Sequence, residues 1–171
     1  MKRILTLILA AFILMPAAPF SAQARGVNKT QISALVREYS HRDGFDVVSI
    51  GSLGMRLMKL AAKSSAETKE DREALDFLNK LNRVVIVSYE DADADVKKKF
   101  NTGLDRILRN QETLLEAKSD GEAVHIFGDL SDDGQTLRDV VLRVPGSDAL
   151  ICLFGSLPAS KIADAIDLKD M

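Results

Sequence analysis

The apolar residues of this chain change their period near residue 112, and that change constrains the fold more than any single motif. Before it, they recur every three or four positions. Asn28 to Arg42 places Ile32, Leu35, Val36 and Tyr39 at i, i+3, i+4 and i+7, one stripe of an amphipathic helix. Asn28 with Gln31 three residues on resembles a capping box, and Gly44 ends the helix. Phe45 to Ile50 is a short β-type run. Gly51-Ser52-Leu53-Gly54 turns into a second helix, with Leu53, Leu57, Leu60 and Ala61 on one side. Lys63 to Glu70 is a polar break. A third helix runs from Asp71 to Leu81, with Leu75, Leu78 and Leu81 inward. Val84-Val85-Ile86-Val87 carries no alternation, which predicts a central strand covered on both faces. A fourth helix, Asp95 to Asn110, keeps Val96, Phe100, Leu104, Ile107 and Leu108 in period.

Beyond residue 112, turn signals punctuate the chain at regular spacing: Asp120-Gly121, Asp132-Asp133-Gly134 and Pro145-Gly146-Ser147. Between them lie Thr113 to Lys118, Glu122 to Phe127, Gln135 to Val144 and Asp148 to Phe154, a four-stranded antiparallel meander. Arg138, Asp139 and Arg143 make its outer face partly polar. Ser156 is expected to cap a closing helix with Pro158 in its first turn and Ile162 and Ile166 buried. Helices in the first half and strands in the second predict an α+β fold, with helices packed on one face of a mixed, mainly antiparallel sheet.

The first 24 residues bear on compartment. Lys2 and Arg3 precede Ile4 to Met15, a 12-residue apolar run broken only by Thr6. Pro16, Pro19 and Ala22-Gln23-Ala24 follow, the order of a secretory signal peptide cleaved between Ala24 and Arg25. Crossing a bilayer takes about 20 apolar residues, so cleavage is favoured over a retained anchor. Cys152 is the only cysteine, so no lipid-bearing Cys stands at the cleavage point. Residues 25–171 are then expected to be one soluble domain, exported and periplasmic if the source is a Gram-negative bacterium. Cleavage removes two basic residues and no acidic one, taking the formal charge from −2 to −4. That balance argues against nucleic acid and against polybasic attachment to anionic lipid. There is no Trp to supply a stacking platform.

Each candidate for chemistry has a plainer explanation. Asp91, Asp93 and Asp95 alternate like the opening of an EF-hand loop, but position 6 is Val96 rather than Gly and position 12 is Thr102 rather than Glu. They read better as negative charge at a helix N-terminus. Asp129, Asp132 and Asp133 around Gly134 read as a tight turn. Gly51-Ser52-Leu53-Gly54 lacks the Lys-Ser/Thr of a phosphate loop and the third Gly of a dinucleotide fingerprint. His41 is expected exposed at a helix end. His125 and Cys152 would pair only if their strands were neighbours, and Cys152 is expected buried. Met55 and Met58 accompany the second helix's stripe as core filler or the lining of a groove. No catalytic set, metal site or cofactor site emerges.

The helix–strand entry into Gly51-Ser52-Leu53-Gly54-Met55, the strand Leu81-Asn82-Arg83-Val84-Val85-Ile86-Val87, the hairpin Leu115 to Glu122 and the ending Leu150 to Leu157 together resemble the DUF4252 family. These are small exported Bacteroidetes proteins without an assigned function. The resemblance implies fold and compartment and supplies no catalytic residue. Many members look like lipoproteins, and this chain departs from them in lacking the Cys. The functional expectation is a non-enzymatic module that binds an envelope protein or peptide through a sheet edge or helix groove. A small-ligand or lipid carrier with a cavity between helices and sheet is one alternative. A thiol or hydrolytic enzyme using His125 and Cys152 is the other.

Overall fold

The run Val84–Val87 sits where its lack of alternation predicts, in the interior of a sheet with helices on both sides. A computed structural model describes residues 27–65, 68–109, 111, 113–119 and 122–159. In chain order these form α1 (Lys29–Tyr39), β1 (Asp46–Ile50), α2 (Ser52–Ser65), α3 (Lys69–Lys80), β2 (Leu81–Ser88), α4 (Ala94–Leu108), β3 (Thr113–Ser119), β4 (Glu122–Leu130), β5 (Thr136–Val144) and β6 (Ala149–Pro158). One six-stranded sheet joins them in the order β1-β2-β6-β5-β4-β3. The meander β3 to β6 is present as expected, and β6 joins it to β2 of the helical half. Every pairing is antiparallel, so the sheet is not mixed.

Packing on one face is also corrected. Val85 and Val87 of β2, with Leu150, Cys152 and Phe154 of β6, face Ile32 and Val36 of α1 and Phe100, Leu104 and Leu108 of α4. Val84 and Ile86, with Ile151 and Leu153, lie in a second cluster with Met55 of α2 and with Phe77 and Leu78 of α3. Side chains alternate across a strand, so two apolar sets on β2 and β6 require two covers. Each fully buried Leu, Val or Phe contributes about 1.5–3 kcal/mol of transfer free energy.

Helix ends follow local chemistry. Asn28 accepts from the backbone N–H of Gln31 at 3.1 Å. α3 starts two residues before Asp71, because Thr68 and Asp71 form a reciprocal capping box that makes Asp71 the third helical residue. Asp93 takes the N-cap position of α4 without a side-chain bond, and Asp95 lies in its first turn. Ser156 caps nothing, since β6 continues through Pro158 with Ser156 paired to Arg138. The expected signal segment, its cleavage point at Ala24 and Arg25, and the Ile162 and Ile166 positions lie outside the described residues. Among the described residues no helix is long and apolar enough to cross a membrane.

Register shifts run across the sheet in a line. They fall between Leu81 and Arg83 on β2, Arg138 and Val140 on β5, Phe127 and Asp129 on β4, and Thr113 and Leu115 on β3. Bulges bend strands and re-aim side chains, so one crease crosses successive strands. On β6 it meets Gly155, whose N–H donates to the Asp139 carboxylate at 3.1 Å. Asp139 itself has a left-handed backbone, with φ of 50°.

Candidate functional site

The second helix inverts the usual amphipathic arrangement. Its apolar stripe faces solvent: Leu53 is 70% exposed, Leu57 61%, Leu60 67% and Met58 40%. The helix instead buries Met55 at 1% and turns Lys59 toward the neighbouring helix. The Lys59 ammonium donates to the carbonyl oxygens of Asn79, at 3.3 Å, and Leu81, at 2.8 Å. Those carbonyls end α3, where orphan acceptors and the negative end of the helix dipole favour a cation. A lysine anchored inward holds the leucines outward. β1 packs beside this helix as an edge strand of the sheet, with Val48 52% exposed. Soluble surfaces rarely gather large apolar side chains this way unless something binds there.

The opposite face of β1 borders a different surface. Between α1 and the β1–β2 pair lies an open cleft of about 870 Å³. Arg83 projects into it from the residue after the β2 bulge. Its guanidinium donates to the Ser33 hydroxyl of α1 at 3.3 Å and to the Ser49 hydroxyl of β1 at 3.2 Å. Lys29 and Arg37 also line the cleft, and Lys29 pairs with Asp139 at 3.3 Å.

A family model described as a domain of unknown function, DUF4252, matches residues 39–165. The chain belongs to the DUF4252 family. The match takes in the leucine stripe, β1 and Arg83, while Ser33 and Arg37 on α1 precede it. No curated protein and no solved structure matches the chain.

In this DUF4252 protein, His125 and Cys152 share a sheet face but not a strand pairing. β5 lies between them, with His125 opposite Arg143 and Cys152 opposite Val141. Neighbouring strands are about 4.8 Å apart, so an intervening strand separates the imidazole from the thiol. The His125 Nδ1 instead lies 3.2 Å from the Glu116 carboxylate. Burial pushes the Cys152 thiol from 9.0 up to about 12, against the pull of the Arg83 charge. That shift lowers its thiolate fraction near pH 8 by about a thousandfold. Native protein at pH 8 is therefore expected to react with a disulfide probe about a hundredfold or more slowly than urea-unfolded protein. Rapid labelling of the native state would contradict the buried placement.

Of the acidic groups, Asp132 and Asp133 lie in the expected turn, whereas Asp129 is corrected to a strand residue of β4, paired with Arg138. The Asp133 carboxylate accepts from the Ser131 hydroxyl and from the Gln135 N–H at 3.0 Å, which lowers its pKa. Gly134, at φ of 69°, completes that turn. Among the described residues no group of three or more His, Cys, Asp and Glu could hold a metal ion. The helical period puts Leu53, Leu57 and Leu60 on one side but does not assign that side to solvent. No local signal marks Arg83 as a site residue, because its hydroxyl partners lie 50 and 34 residues away.

Proposed function

We propose that this DUF4252 protein is a docking module of the cell envelope, with the α2 leucine stripe and the β1 edge receiving a protein or peptide partner. The observation that carries the reading is the outward stripe of Leu53, Leu57 and Leu60, each more than 60% exposed. Burial of such side chains contributes about 1.5–3 kcal/mol each, so three adjacent leucines supply a substantial apolar anchor. The neighbouring edge strand offers unpaired backbone groups to an extended segment. The basic, apolar and small-residue order of residues 2–24 supports export to the envelope.

The test pairs a photo-cross-linking residue at Arg56, exposed on α2, with a Leu57→Glu/Leu60→Glu double variant in the native envelope. The expected result is one dominant protein adduct, reduced at least tenfold by the double variant. Because both leucines are exposed, folding stability should move by no more than about 0.5 kcal/mol per site. An adduct that survives the double variant, an adduct with lipid alone, or none in the parent protein would overturn the proposal.

A further inference from the structure

The cleft beside β1 gathers hydrogen-bond donors whose capacity its own side chains only partly use. Arg83 is half-buried, and among the described residues no carboxylate pairs with it. Its two partners are hydroxyl oxygens that act as acceptors, so each serine keeps its own O–H proton to donate. Neither Ser33 nor Ser49 has an acceptor for that proton among the described residues. A guanidinium carries five N–H donors and no acceptor, and only part of that capacity is used. Arg37 adds a second cation at the rim, and Lys29 adds a third whose charge Asp139 shares.

No Asp or Glu lines this cleft, although the chain carries 25 acidic residues against 23 basic ones. Concentrating cations where the rest of the chain is acidic creates a local positive field. Cationic and hydroxyl donors that converge with no carboxylate lining the cleft match a ligand that is itself an anionic acceptor. The cleft also far exceeds the room an inorganic ion needs, and Val36, Val47 and Phe154 form an apolar part of its wall. The β2 bulge, which aims Arg83 into this space, is the kind of irregularity that re-aims a side chain beside a binding site.

We infer that the cleft between α1 and the β1–β2 pair binds a small organic oxyanion. Arg83 forks onto the carboxylate or phosphate oxygens, as guanidinium geometry allows. Ser33 and Ser49 donate from either side, Arg37 closes the rim, and the body of the ligand rests on Val47 and Phe154. This surface lies across β1 from the leucine stripe, so the inference stands independently of the docking reading.

Titration of the purified protein followed by amide NMR tests it, with benzoate and phenyl phosphate as anionic probes, benzyl alcohol as their neutral counterpart, and inorganic phosphate as the ion without a body. The expected result is saturable shifts at Ser33, Ser49 and Arg83 with the aromatic anions, and none with benzyl alcohol. Comparing benzoate with phenyl phosphate shows which oxyanion the site prefers. Arg83→Gln should weaken binding at least tenfold. Arg37→Gln, on the exposed face of a helix, should weaken it severalfold and keeps the test decisive if the first variant folds poorly. No saturable shift, equal binding of benzyl alcohol, undiminished binding by both variants, or inorganic phosphate binding as tightly as phenyl phosphate would overturn the assignment.

Discussion

Phe100→Ala is expected to destabilise the protein by about 3–5 kcal/mol. Phe100 is fully buried and is the hub of an aromatic cluster. Its ring centroid lies 5.2 Å from Tyr39, 5.2 Å from Phe45 and 4.9 Å from Tyr89. The contacts with Tyr39 and Phe45 are edge-to-face, a favoured geometry worth about 0.5–1.5 kcal/mol beyond burial. Removing the ring leaves a cavity that three large, mutually constrained side chains cannot close. The effect is a large share of a typical domain stability of about 5–15 kcal/mol. Urea unfolding of parent and variant measures it, and a loss below about 1 kcal/mol would show that this cluster does not hold α4 to the sheet.

Gly155→Ala should be comparably damaging, by about 3 kcal/mol or more. A Cβ at Gly155 would stand 2.2 Å from the Lys80 carbonyl oxygen and 2.9 Å from Leu81 Cα. Both are backbone atoms at the end of α3 and the start of β2, so no side-chain rotation relieves the contact. The residue also holds φ of 157° and donates its N–H to Asp139 across the crease. Gly51→Ala is the control, since an added Cβ there meets nothing within 4 Å. It should leave stability within about 1 kcal/mol of the parent. Equal unfolding midpoints for the two variants would refute the steric account.

Much of this architecture was legible before any coordinates. Ile32 and Val36, like Phe100, Leu104 and Leu108, keep helical period and are buried together. Asp132-Asp133-Gly134 and Pro145-Gly146-Ser147 separate β4 from β5 and β5 from β6 because Gly, Pro and Asp answer local backbone demands, while Asp120-Gly121 lies outside the described residues. Val84–Val87 also said that two faces were covered, against the one-face arrangement suggested by the order of elements. The remainder depends on long-range geometry. Period finds the Leu53, Leu57 and Leu60 stripe but not its direction, which Lys59 sets by reaching the end of another helix. The crease has no local signature, because a register shift belongs to a pair of strands. Arg83 gained its meaning only when α1 and β1 brought two serines to it, and no spacing along the chain records that meeting.

Among the described residues the last strand in sequence is the third in the sheet. β6 spans Ala149–Pro158 and is the seam between β2 and β5. A chain delivered from its N-terminus can therefore assemble β1 with β2, and separately β3 with β4 and β5, without uniting them. Until the 10 residues of this strand arrive, β2 and β5 each keep an open edge, and the two apolar layers have no shared floor. Closure waits for contacts distant in sequence, which form slowly. Holding back this one strand holds the whole sheet ajar, so the two layers lock only after β6 has been made.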